Sequence, residues 1–166
     1  MQEIHTGREN TAFAAADQGT IVAVCVSQKT GERKTPVDSV TLREDYGIEG
    51  DVHAGSGRQV SLLGVEGVDV MRRKMPTLAD GDFAENLLVR GLPLAELPLG
   101  TLLCADNGVR MEITQIGKKC HSKCNIHKTV GYCIMPTQGI FVRVLAGGVL
   151  RAGDVLRVVP ARAADA

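Results

Sequence analysis

What most limits the fold of this chain is a succession of short β-forming runs set apart by glycines. Thr20–Val26 is brief and rich in β-branched residues, as a buried strand is. Val37–Arg43 alternates apolar and polar residues like a half-exposed strand, and Gln59–Leu63 is a further candidate. Arg110–Ile116 alternates as well, and Ile140–Leu145 is a strong β run. Glycines crowd at 47, 50, 55 and 57, which marks a loop of special backbone geometry. Only Val65, Val68, Met71 and Met75 recur at helical spacing, and Pro76 stops them. With 19 glycines and one or two helices, the expected class is mainly β: a barrel or sandwich with small helical additions. One pattern occurs twice, Leu97–Leu103 and Leu150–Leu156, each a turn glycine releasing an apolar strand; two similar turns explain it.

A chain of 166 residues suits one domain. We expect it over residues 19–160, with a flexible leader at 1–18 and a tail at 161–166. Acidic and basic residues balance at 19 each, which argues against a general nucleic-acid or membrane-surface binder. No apolar run approaches the roughly 18 residues that span a bilayer, and the polar N-terminus lacks a signal-peptide core. The expected location is cytoplasmic, where five cysteines serve as thiols or ligands rather than disulfides. With 3% aromatic residues and no Trp, a base-stacking platform is not expected.

Against this neutral background, residues 113–153 hold no Asp or Glu, yet carry six Lys/Arg, two His and three Cys. The centre is Gly117-Lys118-Lys119-Cys120-His121-Ser122-Lys123-Cys124-Asn125-Ile126-His127-Lys128. Nearby cations favour thiolate, the form that attacks electrophiles and binds soft metals. Cys120 or Cys124 is therefore the expected reactive thiol, whereas Cys25 and Cys104, in apolar runs, are expected to be inert core residues. Cys133, beside Ile134 and Met135, reads as a small core residue. The alternative is structural zinc on Cys120, Cys124 and Cys133 with His121 or His127, although the spacing is not a strong zinc pattern.

Two other segments carry chemistry. In Gly50–Arg58, an extended chain would aim Asp51 and His53 to one side, to orient an imidazole or contribute ligands, with Arg58 after two glycines. A surface turn with Asp51 capping the backbone and His53 solvated is the plainer alternative. In Gly81–Leu87, Glu85 and Asn86 offer acceptor and donor edges to a ligand, or simply form a turn before a strand.

Taken together, these segments resemble the MOSC domain, named after the C-terminal region of molybdenum-cofactor sulfurase, and specifically its small stand-alone bacterial type. The resemblance rests on Gly47–His53, Arg58–Leu63, Phe83–Leu87 with Gly91-Leu92, the Cys120/Cys124 segment, and Gly139–Phe141 with Gly147-Gly148 and Gly153-Asp154. It implies a β-barrel and a pocket for the molybdenum cofactor (molybdopterin). The metal or sulfur would sit on Cys124 or Cys120. Asp51, His53, Arg58, Glu85, Asn86, Lys118, Lys119, Lys123 and Arg143 would line the cofactor site. It further implies a sulfur carrier or a molybdenum-dependent reductase, an association with pyridoxal phosphate, and partners among molybdopterin biosynthesis enzymes. A zinc-stabilised binding module, or a non-catalytic partner of such an enzyme, stays open beside it. The family often has glycine where this chain has Ala84.

Overall fold

The first and last strands are hydrogen-bonded neighbours, and that pairing turns a sheet into a barrel. The computed structural model describes residues 17–117 and 133–161. In it, β1 (Gln18–Val26) runs antiparallel to β11 (Val155–Val159), Gln18 opposite Arg157 and Thr20 opposite Val155. The ring continues through β7 (Leu102–Ala105), β8 (Arg110–Ile116), β9 (Ile140–Ala146), β5 (Val60–Gly64) and β6 (Leu87–Arg90), then back to β1, giving seven strands. All neighbours are antiparallel except β5 and β6, and parallel strands need a crossover. Here it contains α1 (Val65–Arg72) on the outside of the barrel. The protein is mainly β, as expected.

The alternation of each strand decides what faces in. Val60 and Leu62 of β5, with Val142 and Val144 of β9, join an interior cluster of Val, Leu and Ile side chains with one Met, Met111. Ser61 lies between them in β5, and Leu63 belongs to a second cluster outside. In β1 the register slips between Ile21 and Ala23. This irregularity lets both Ile21 and Val24 enter the interior while Ala23 and Cys25 face out. The outer cluster is covered by Val65, Val68 and Met71, one stripe of α1. Each such side chain contributes about 1.5–3 kcal/mol by leaving water. Glu66 in the first turn and Arg72 in the last complement the helix dipole. Met75 N–H still reaches the Met71 carbonyl, and Pro76 ends the pattern.

The strand expected over Val37–Arg43 is two strands. β2 (Thr35–Val37) extends the barrel beside β1, whereas β3 (Val40–Arg43) lies between β4 (Gly47–Ile48) and β10 (Gly148–Leu150) in a separate three-stranded sheet. Asp38 and Ser39 interrupt the run, and a local alternation cannot reveal such a change of partner. Val40, Leu42, Ile48 and Leu150 of this small sheet add to the interior cluster. The two repeated turns launch β7 and β11, which pair with each other, Leu103 opposite Val158. A second short helix, α2 (Met135–Gln138), packs its Met135 into the outer cluster. Among the described residues no helix is long and apolar enough to cross a membrane. The expected leader apart from Asp17 and Gln18, and the tail apart from Ala161, lie outside the described residues.

The turn before β6 keeps a left-handed backbone without glycine: Ala84 has φ +64°. That conformation costs an L-residue roughly 1–2 kcal/mol, partly offset by the smaller chain entropy alanine loses on folding. Ala84→Gly should therefore raise stability by roughly 0.5–1 kcal/mol in urea unfolding. A clear loss would show that the methyl group stabilises the turn.

Candidate functional site

Asp51 begins the glycine-rich turn after β4, and its carboxylate is a buried hub. Oδ1 accepts from the Ser27 backbone N–H at 3.0 Å and from Lys34 Nζ at 2.8 Å, while Oδ2 accepts from the His53 N–H at 3.1 Å. The Lys34 and Asp51 side chains are both 0% exposed. Lys34 Nζ also donates to Ser27 Oγ at 3.0 Å and stands 3.3 Å from His53 Nδ1. A further backbone bond joins Val52 N–H to the Ser27 carbonyl. The turn is thus tied to the end of β1. Burial alone would raise the Asp51 pKa. The Lys34 ammonium at 2.8 Å and the Ser27 amide outweigh it and hold the carboxyl well below the usual carboxylate range, while the His53 ring nitrogen, 3.7 Å away, is too far for a hydrogen bond.

The Gly81–Leu87 segment is pinned to the same strand end. Glu85 is fully buried; Oε2 accepts from Gly81 N–H at 2.8 Å and Oε1 from Phe83 N–H at 3.1 Å. Burial pushes its pKa up to about 7, against the pull of these amides and with a small push from Asp80. Asn86 Oδ1 accepts from Ser61 N–H at 3.0 Å, and Nδ2 donates to the Cys25 carbonyl at 2.9 Å. Its own N–H reaches Ser61, and its carbonyl accepts from Cys25 N–H. Gly81 links the two hubs: its carbonyl accepts from Lys34 N–H, and a Cβ there would run into the Lys34 carbonyl oxygen.

These contacts correct part of the reading from sequence. For Asp51, Glu85 and Asn86 the sequence leaves a ligand-facing edge or a turn open; all three are buried and hold backbone, and Asp51 caps amides as its plainer alternative has it. Asp51 and His53 lie in a turn rather than an extended segment, with Asp51 capping the His53 amide. The His53 ring is 35% exposed. Cys25 is buried, and burial first, then Glu85 and Asp80, pushes its thiol up to about 12, away from the thiolate form. Cys104 is half-buried on the outer side of β7 and is not part of either core cluster. Cys133 is half-buried and packs against the outer cluster.

Exposed candidates share one side of the barrel. The Arg58 guanidinium lies 5.5 Å from the centre of the Phe141 ring and has no carboxylate partner among the described residues. Phe141 sits on the outer face of β9, opposite Ser61 and Gln115. Arg143, two residues on, is exposed and bonded to Glu112 at 3.2 Å. The basic segment leaves β8 at Gly117, whose N–H donates to the Gly139 carbonyl, and is rejoined at Cys133, packed on the cluster that contains Phe141. Lys118, Lys119, Cys120, His121, Lys123, Cys124 and His127 lie outside the described residues. Among the described residues no three His, Cys, Asp or Glu side chains gather as a metal site. A groove of about 610 Å³ lined by Glu66, Gly91, Leu94, Glu96 and Gln138 holds none of the expected site residues.

Sequence reasoning missed Lys34, Ser27 and Ser61. Ser61 carried a signal, a single hydroxyl inside an apolar strand. Lys34 carried none, because it follows Glu32 and Arg33 as a surface lysine does.

A family model described as the MOSC domain matches residues 49–157. The fold is similar to that of the YuaD protein from Bacillus subtilis, with a TM-score of 0.71 at 17% identity over 85% of this chain and 95% of that one. YiiM from Escherichia coli superposes with a TM-score of 0.62 at 19% identity, over 86% and 69% of the two chains. YiiM from Geobacillus stearothermophilus gives 0.61 at 22%, over 85% and 75%. At these identities the likeness concerns the fold. Sequence comparison with curated proteins gives no significant match.

Two measurements test the hubs. Asp51→Asn leaves the Lys34 ammonium buried without its counter-charge and should cost about 3–5 kcal/mol. In a cycle with Lys34→Met, the two single losses should together exceed the double loss by about 1–3 kcal/mol; simple additivity would mean the pair does not act as a unit. Glu85 has a folded pKa raised from 4.5 to about 7. Its stabilising contribution is therefore complete below pH 4.5 and is lost as pH rises through about 7. Across that window wild type should lose roughly 3 kcal/mol relative to Glu85→Gln. A relative gain would mean the two amide bonds outweigh burial.

Proposed function

The chain belongs to the MOSC domain family, a family associated with molybdenum-cofactor binding and sulfurase-type function, and on that premise we propose that it binds the molybdenum cofactor and works through a thiolate of its basic segment, Cys120 or Cys124. One observation carries this reading: Arg58, a cation without a carboxylate partner among the described residues, lies over Phe141 on the side of the barrel where that segment is anchored at Gly117 and Cys133.

The donor chemistry fits the group. A thiolate is a soft ligand suited to a sulfur-rich metal centre. Arg58 offers a planar fork to a terminal phosphate, and Lys118, Lys119 and Lys123 add positive charge. Asp51 supports the site from behind by fixing the turn that carries His53 and Arg58, while Glu85 and Asn86 fix the neighbouring 81–87 turn against β1 and β5. When bound, the molybdenum cofactor would supply a metal centre that changes oxidation state. As a sulfur carrier, the same thiolate would attack the outer sulfur of a persulfide donor. A new S–S bond forms on the cysteine and the donor leaves as thiolate. Lysines close to the thiol would favour both roles by stabilising thiolate. Partners would be enzymes that make or use the cofactor, in the cytoplasm, where thiols stay reduced.

The test is metal and pterin analysis of protein purified from a cofactor-competent host, for wild type, Cys120→Ser and Cys124→Ser. One of the two variants should lose bound molybdenum by about tenfold or more while circular dichroism is unchanged. Zinc alone in wild type would favour the zinc-stabilised module. Molybdenum retained in both variants would refute the thiolate assignment.

A further inference from the structure

We propose that Lys34 and Asp51 are positioning residues that fix His53 with its Nε2–H directed outward, as a hydrogen-bond donor to an anionic oxygen of the ligand and not as a metal ligand. The inference rests on the reading that the ligand of this site is anionic, and it needs no molybdenum.

A lysine ammonium has three protons and no acceptor. Lys34 has three acceptors around it: Asp51 Oδ1 at 2.8 Å, Ser27 Oγ at 3.0 Å and His53 Nδ1 at 3.3 Å. The third contact uses the Nδ1 lone pair, so in the neutral ring the proton resides on Nε2. Asp51 Oδ2 is 3.7 Å from the same nitrogen, beyond hydrogen-bond reach, and instead accepts the His53 backbone N–H at 3.1 Å. Backbone and ring are thus both held by one ion pair. The outer edge of the ring is different: it is partly exposed, and no described group bonds Nε2.

Arg58 belongs to the same turn. Ser56 Oγ donates to the His53 carbonyl at 2.7 Å and accepts the Arg58 N–H at 3.1 Å, which fixes the two residues relative to each other. Between them a Cβ on Gly57 would meet nothing within 4 Å, so a ligand can approach the backbone. An oriented N–H donor on the same turn as a cation lacking a described counter-charge suits a phosphate or carboxylate oxygen. A metal at Nε2 would require that nitrogen to give up its proton, and Lys34 would then lose its third acceptor or the ring its neutral tautomer.

The experiment combines long-range ¹H–¹⁵N correlation spectra of histidine-labelled protein with inorganic phosphate titration. In wild type, His53 should show its proton on Nε2, and phosphate should shift that signal. In Lys34→Met the tautomer preference should be lost. His53→Gln, which keeps a donor near the Nε2 position, should bind phosphate within about threefold of wild type, whereas His53→Leu should bind about tenfold more weakly. A proton on Nδ1 in wild type overturns the proposal without any variant. Equal losses in the Gln and Leu variants overturn the donor role. Because the probe is phosphate alone, failure of the cofactor reading leaves these outcomes unchanged.

Discussion

The buried ion pair of Lys34 and Asp51 is the contact on which the arrangement of this site depends. Removing two charges from water is expensive, and the pair persists because every proton and lone pair that matters has a partner. Asp51 receives two backbone amides and the ammonium, and Lys34 reaches a carboxylate, a hydroxyl and an imidazole. The geometry draws three separate segments together: the end of β1, the strand entry at Lys34, and the turn that carries His53 and Arg58. A barrel supplies the wall, but the pair sets how this turn sits against it.

Glu85 is the natural comparison. Like Asp51 it is buried, and like Asp51 it accepts two backbone N–H groups. The two carboxyls shift in opposite directions because only Asp51 has a cation at 2.8 Å. Two amides do not offset burial for Glu85, whereas amides with an ammonium more than offset it for Asp51. One hub is therefore firmly ionised at neutral pH, and the other is poised near it. Both do the same mechanical work, closing a tight turn: the Asp51 turn carries the partly exposed His53, and the Glu85 turn carries the buried Phe83.

How much was legible in the sequence follows from the range of each interaction. Strand runs such as Thr20–Val26 and Ile140–Leu145 announce themselves because alternation and β-branching are local, and so does the stripe on α1. The division of Val37–Arg43 into two sheets was hidden, since the partner of a strand lies far along the chain. The polar residues of the two motifs were found, but their direction was not. A carboxylate that reads a ligand and one that caps buried amides look identical in sequence. Lys34 was invisible for the same reason: nothing in Glu32-Arg33-Lys34 tells which cation will be buried. The thiols Cys120 and Cys124 stand out by the cationic, carboxylate-free segment around them, and they lie outside the described residues.

The central claim is that the motif carboxylates form a rigid internal frame rather than ligand contacts. It is tested most directly by native-state hydrogen exchange at four amides, those of Ser27, His53, Gly81 and Phe83, which donate to Asp51 and Glu85. The account predicts slow exchange, comparable with barrel amides such as Val144 in β9. Exchange as fast as that of exposed turn amides, with the barrel still protected, would contradict it.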